Sequence, residues 1–239
     1  MGTYFNRPDF QMINYDVFAL CGDGCMMEGV TGEAASLAGH LKLSNLCWIY
    51  DNNRITIEGH TDLAFSEDVA ARFFAYGWNV TRVADANDLM MLDRAFTMFR
   101  QTPDRPTLII VDSHIAYGSP HKQDSSAAHG EPLGEEEVTL AKRSYGWPED
   151  AHFLVPAGVP KHFQHLMGTR GRLAREQWMK RFTTYRQSYP KLADALFQMQ
   201  RRELPNGWDH DLPLFPADSK GLAGRASCGR LSSSSALAR

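Results

Sequence analysis

The chain has 239 residues with a net charge of −3 at neutral pH, 43% hydrophobic and 22% charged residues. That balance is ordinary for a globular protein, and it gives no electrostatic reason to expect nucleic acid or an anionic membrane as partner. No run of about 18 apolar residues is present, so no membrane span is expected, and Met1–Pro8 lacks the basic and apolar regions of a secretory leader. The four cysteines, Cys21, Cys25, Cys47 and Cys228, lack a second Cys or His pair at zinc spacing. Three lie in apolar or glycine-rich settings, which suits reduced, buried thiols and a cytoplasmic location.

Residues 1–13 read as a short irregular or helical lead-in with little core material. Asn14–Cys21 is a strand, almost continuously apolar after Asp16, as in a buried parallel sheet. Gly22-Asp23-Gly24 then makes a tight turn. A helical pattern follows from Met27 to Leu43, with Val30, Ala34, Leu37, Ala38 and Leu41 in register and Ala35, Ala38 and Gly39 small enough for close packing. Its N-terminus would aim free amides at the turn carrying Asp23 and Gly24.

Leu46–Asp51 is the second strand, and 52–58 a polar loop. Ser66–Tyr76 reads as a helix capped by Ser66. A third strand covers 77–83. A helix over Asn87–Arg100 carries Leu89, Leu92, Ala95, Phe96 and Phe99, and Pro106–Asp112 is the fourth strand. Strands alternating with helices predict an α/β fold with a doubly wound, mostly parallel sheet.

Residues 113–134 form a long Gly-, Ser- and His-rich loop, the kind a compact domain keeps for function. Glu135–Tyr145 is a charged helix, and two further helices fit 160–188 and 190–204 with solvated charged faces. From Pro205 regular structure is not expected, and the Ser-rich end from Arg225 reads as disordered. The domain reading is an incomplete α/β domain that carries a metal–diphosphate site over 1–150, a helical extension over 151–204, and an extended linker and tail over 205–239.

Two strand ends each deliver an oxygen-bearing side chain, Asp23 and Asn53, which are 30 positions apart. Mg²⁺ is hard and octahedral, and takes one or two carboxylates plus phosphate oxygens. Asp23 can supply a carboxylate, Asn53 an amide oxygen, and Ile55 a backbone carbonyl. The glycines at 22 and 24 leave the backbone open to a phosphate. Open α/β sheets bind ligands at the carboxyl ends of their strands. Gly-Asp-Gly and Asn-Asn are each common turns, and their specificity comes from the order strand, turn, helix, strand, turn.

That order resembles the thiamine diphosphate fingerprint, GDG followed some thirty residues on by NN. The stretches GDGCMMEGVTGEAASLAGHLKLSNL, EDVAARFFAYGWNV, IAYGSPHKQDSSAAHGEPLGEEEV and GWDHDLPLF resemble transketolase, and the similarity runs from about residue 4 to about 224. The resemblance implies a thiamine diphosphate-binding fold, here incomplete, with C-terminal helices and a disordered tail. It implies thiamine diphosphate and Mg²⁺ (or Ca²⁺) as cofactors, and transfer of a two-carbon ketol unit between sugar phosphates within a larger enzyme. The partner it implies is the pyrimidine-binding domain of a second subunit in a homodimer.

By resemblance, Asp23, Asn53 and the Ile55 carbonyl match metal ligands. Gly24 and Asn53 match residues on the cofactor diphosphate. Glu28 matches a family position near the subunit contact that relays to the partner's cofactor. His129 matches the histidine that reaches diphosphate and substrate; its place in the long loop also suits phosphate donation or a proton shuttle. His60, His114, His121 and His162 read as exposed bystanders. Ala116 stands where the family often has glycine, which would stiffen the loop if the backbone there needs positive φ. Upstream family histidines and the glutamate that activates the cofactor have no match here. The alternative reading is therefore a non-catalytic module that retains only the diphosphate–metal half-site, and the isolated chain is expected to be inactive.

Overall fold

The computed structural model describes residues 1–233. In chain order, α1 (Gly2–Phe5) precedes β1 (Val17–Gly22), α2 (Asp23–Met27), α3 (Gly29–His40) and β2 (Leu46–Asn52). The hairpin strands β3 (Ile55–Thr56) and β4 (Gly59–His60) follow, in the stretch expected to be loop. Then come α4 (Val69–Ala75), β5 (Asn79–Val83), α5 (Leu89–Arg100), β6 (Thr107–Asp112) and α6 (Glu135–Ser144). The last elements are α7 (Val159–Phe163), α8 (Thr169–Ser188), α9 (Pro190–Arg201) and α10 (Gly224–Ser232), with a π-type turn over Gln164–Gly168 between α7 and α8.

Two compact units emerge. One is Tyr15–Pro156; the other joins Met1–Asn14 to the chain from Ala157 on. The first fourteen residues, grouped with 1–150 in the sequence reading, cluster with the C-terminal helices.

In the unit Tyr15–Pro156, four parallel strands stand in the order β1-β2-β6-β5. Because successive side chains on a strand point to opposite faces, β6 feeds two cores. Leu108 and Ile110 join Met26, Ala35, Ala38, Tyr50, Val69, Phe73 and Trp78 on the face covered by α3 and α4. Ile109 and Val111 join Cys47, Val83, Ala95 and Phe99 on the face covered by α5. The sheet is therefore doubly wound, as the alternating pattern predicts.

β1 departs from its sequence reading. It is an edge strand, and Leu20 is 80% exposed. A continuous apolar run marks a strand whose faces suit burial; it does not say which strand lies at the edge.

The helix expected over Met27–Leu43 is α3, shortened to Gly29–His40, and the separate short helix α2 precedes it across the extended Glu28. On α3 the buried residues are Thr31, Ala35 and Ala38, while Val30, Leu37 and Leu41 face outward. Close approach decides this. A Cβ on Gly39 would lie 1.9 Å from the Tyr76 carbonyl oxygen, and Trp78 Nε1 donates to the Ala35 carbonyl at 2.8 Å. Only small side chains fit that seam, so the large ones lie on the other face. On α5 the predicted face is largely as read: Ala95 and Phe99 are buried, Leu92 and Phe96 pack against them, and Leu89 at the helix start is exposed.

Helix starts shift by two or three residues. Asp68, not Ser66, caps α4, accepting from the Ala71 amide at 3.0 Å, and Asp88 caps α5 through the Met91 amide at 2.9 Å. Cys25 is exposed rather than buried, while burial pushes the thiols of Cys21 and Cys47 up to about 12.

In the other unit, Phe5 and Met12 pack with Phe182, Tyr185, Ala193 and Leu196. The Tyr185 hydroxyl donates to the Phe5 carbonyl at 2.7 Å, and Trp178 Nε1 to the Met12 carbonyl at 2.9 Å. The lead-in segment thus supplies core residues that its own pattern does not advertise. Beyond α9 the chain is irregular until α10, which forms where an irregular tail was expected. None of its residues is buried. Residues 234–239 of that expected tail lie outside the described residues. No helix among the described residues is long and apolar enough to cross a membrane.

Candidate functional site

The β1–α2 turn carries Asp23 as the first residue of α2. Its side chain is only 3% exposed. One carboxylate oxygen accepts from the Tyr50 hydroxyl at 2.7 Å, the other from the Arg54 amide at 2.9 Å. Burial pushes this carboxyl above its ordinary value, and the hydrogen bonds from Tyr50 and Arg54 pull it partly back. Among the described residues, no cationic side chain forms an ion pair with Asp23. A buried carboxylate without a counter-charge is the donor a divalent cation would compensate.

Arg54 takes a left-handed conformation, φ 62°, which turns its amide onto Asp23. Asn53 Oδ1 accepts from the Ile55 amide at 3.0 Å, an Asx turn that leaves the oxygen a second lone pair. Ile55 itself is buried and pairs with His60 across the hairpin. Hairpin and Asx turn together hold Asn53 and Ile55 in the wall of a cleft of about 470 Å³, also lined by Arg54, His60, Asp112 and His114. A second cleft of about 370 Å³ shares Asn52 and Arg54 and adds Tyr50 and Arg82.

Asp23, Asn53 and Ile55 are thus gathered around the Arg54 backbone. Gly22 and Gly24 stand beside them, and a Cβ at either would meet nothing within 4 Å, so the turn is open on that side. The donors and the free space fit a cation with a diphosphate. The helix N-terminus at the turn belongs to the short α2, not to the long helix predicted from Met27.

Of the predicted site residues only Asn53 and Ile55 line a cleft; Asp23, Gly24, Glu28 and His129 are not among the residues lining either one. Glu28 is exposed between α2 and α3. His129 is half-buried after a short 3₁₀ turn, its amide donating to the Ser126 carbonyl at 2.9 Å.

Several participants escaped the sequence reading. Tyr50, Asn52, Asp112 and Arg82 form a hydrogen-bonded chain across the strand ends, visible only once register pairs Asn52 with Asp112. Two histidines read as bystanders have partners: His114 Nδ1 lies 2.9 Å from Asp124, and His121 Nδ1 lies 2.9 Å from Glu137. Glu137 on α6 also accepts from the Ser119 hydroxyl and the His121 amide, which ties the long loop to that helix. These bonds lower its carboxyl to about 2. In the same loop Ala116 has φ 50°, so the backbone at this position does adopt the left-handed form that glycine takes without strain.

The profile of one family, described as "Transketolase, thiamine diphosphate binding domain", matches residues 1–205. The chain belongs to the transketolase family. It is 43% identical over 231 residues to the transketolase of Geobacillus stearothermophilus, covering 97% of this chain and 34% of that one. It is 40% identical over 226 residues to transketolase 1 of Saccharomyces cerevisiae, covering 94% of this chain and 33% of that one. A Pichia stipitis transketolase solved in complex with sedoheptulose 7-phosphate superposes with a TM-score of 0.81 at 35% identity, over 97% of this chain and 34% of that one. The Leishmania mexicana transketolase gives a TM-score of 0.80 at 34% identity, over 90% of this chain and 32% of that one. This transketolase-family chain therefore spans about a third of the length of the relatives it matches.

Proposed function

We propose that this chain contributes the metal–diphosphate half of a transketolase active site, within a larger enzyme that moves a two-carbon ketol unit between sugar phosphates. The observation that carries the reading is Asp23, a buried carboxylate with no counter-cation beside Asn53 and Ile55. In this reading Asp23, the Asn53 amide oxygen and the Ile55 carbonyl hold Mg²⁺ or Ca²⁺. Gly24 and Asn53 face the diphosphate of thiamine diphosphate. His129 donates to phosphate and substrate, and Glu28 lies toward the pyrimidine-binding domain of a partner subunit. Bound thiamine diphosphate would supply the electron sink for carbon–carbon chemistry, while the chain supplies charge compensation and orientation. This reading places the enzyme in a reducing, cytoplasmic setting.

A second reading, a module that binds the diphosphate–metal unit without turnover, is favoured by the absence of His129 and Glu28 from the lining of either cleft. Calorimetric titration of the purified chain with thiamine diphosphate and Mg²⁺, followed by a ketol-transfer assay, separates the two. Saturable binding without turnover supports the module, and turnover by the chain alone eliminates it. Asp23→Ala is expected to weaken Mg²⁺-dependent binding by at least tenfold; unchanged binding would remove Asp23 from the metal site.

A further inference from the structure

We propose that Tyr50 is a positioning residue for the Asp23 carboxylate, and that Asn52, Asp112 and Arg82 hold it in that role. The proposal rests on the metal reading of Asp23. Four strand ends lie side by side, and one polar chain crosses them. Tyr50 Oη is 2.7 Å from Asp23 Oδ1 and 3.0 Å from Asn52 Oδ1. Asn52 Nδ2 donates to Asp112 Oδ1 at 2.6 Å. Arg82 closes the chain with two bonds of 2.7 Å, Nε to Asp112 Oδ2 and Nη2 to Asp112 Oδ1. Tyr50 and Asn52 share a face of β2 because they are two residues apart. Register sets Asn52 beside Asp112 and Arg82 beside Ile110.

Each link constrains the next. The Arg82 fork fixes the Asp112 carboxylate, since bidentate pairing sets both distance and plane. A fixed carboxylate oxygen requires a donor opposite it, so the Asn52 amide must turn its NH₂ to Asp112 and its oxygen to Tyr50. A hydroxyl carries one proton, so Tyr50 serves either Asp23 or Asn52 at a given moment. With a cation drawing on Asp23, the proton keeps an acceptor in Asn52, and no donor is stranded in this buried site, where an unmet hydrogen bond is costly. The carboxylate is thereby aimed before a ligand arrives and remains supported afterwards. A purely structural staple across the strand ends would need no second acceptor for Tyr50.

The test uses Mn²⁺, an oxygen-seeking octahedral stand-in for Mg²⁺. Its binding to the full chain with thiamine diphosphate present is followed by electron paramagnetic resonance, with thermal unfolding of the metal-free chain recorded alongside. Tyr50→Phe keeps the ring and removes the hydroxyl, and should weaken Mn²⁺ about tenfold, the scale on which outer-shell partners act. Asn52→Ala should weaken it several-fold alone and add nothing further in the Tyr50→Phe background, because it acts through the hydroxyl. Lower stability with unchanged Mn²⁺ affinity in Tyr50→Phe would overturn the proposal, as would additive effects of the two substitutions. If Tyr50→Phe does not fold, unchanged affinity in Asn52→Ala overturns it instead. Failure of the unaltered chain to bind Mn²⁺ would sink the metal reading itself. Binding that is lost in Asp23→Ala but untouched in Tyr50→Phe would sink only the positioning role.

Discussion

Single residues set how far the site's electrostatics can be read from chemistry alone. Asp23 and Glu137 are both carboxylates with little exposure, yet they move in opposite directions. Asp23 lies deep with two neutral donors, so desolvation dominates and its carboxyl rises. Glu137 collects the Ser119 hydroxyl and the amide and ring of His121, so hydrogen bonding dominates and its carboxyl falls to about 2. A depressed carboxyl stabilises the folded form above its ordinary value of 4.5 and loses that contribution as pH falls toward 2. The tie between α6 and the loop is therefore expected to be intact at neutral pH and to release on acidification through that window. A ¹³C titration of the Glu137 carboxyl should give a midpoint near 2; a midpoint near 4.5 would show that the Ser119 and His121 bonds do not persist in solution.

At the scale of elements, spacing identified most helices and strands and the buried face of α5, but on α3 it did not separate the packed side from the exposed one. On α3 the apolar positions read from spacing were Val30, Ala34, Leu37, Ala38 and Leu41, of which Ala38 is buried; the small Ala35, Ala38 and Gly39 do pack closely, as their size suggested, while Val30, Leu37 and Leu41 are exposed. Periodicity measures only where apolar side chains recur, whereas the seam with Tyr76 and Trp78 selects for size. Gly39→Ala tests this directly. Helix propensity favours alanine by about 1 kcal/mol, but the new Cβ would stand 1.9 Å from a backbone oxygen that a rotamer change cannot move. The clash should win, with a net loss of about 1–3 kcal/mol in urea unfolding. A more stable Gly39→Ala chain would mean that α3 and the Tyr76 turn are not so closely seated.

For the whole molecule, sheet order decides what is exposed. β1 lies at one end of the order β1-β2-β6-β5, and Val17, Phe18 and Leu20 along it are exposed. A free strand edge with apolar side chains invites strand-to-strand association. Leu20→Lys is expected to change stability by less than about 0.5 kcal/mol, since the side chain is already 80% exposed. It should reduce concentration-dependent self-association measured by light scattering. Unchanged association would place the adhesive surface elsewhere.

Local chemistry made much of this protein legible from its residues. Alternating strand and helix patterns led to the doubly wound sheet, because burial on both faces writes continuous apolar strands. The Gly-Asp-Gly and Asn-Asn turns marked the candidate site, because a strand end, a short polar side chain and a missing Cβ are sequence-local requirements. Register was not legible, since pairing Asn52 with Asp112 joins positions 60 apart in the chain. Nor was the placement of Phe5 and Met12 against α8 and α9, which depends on contacts such as Tyr185 with Phe5, 180 positions apart. The polar chain from Asp23 through Tyr50 and Asn52 to Asp112 and Arg82 belongs to this second kind, because each hydrogen bond in it requires strands to be laid side by side before its donor and acceptor can meet.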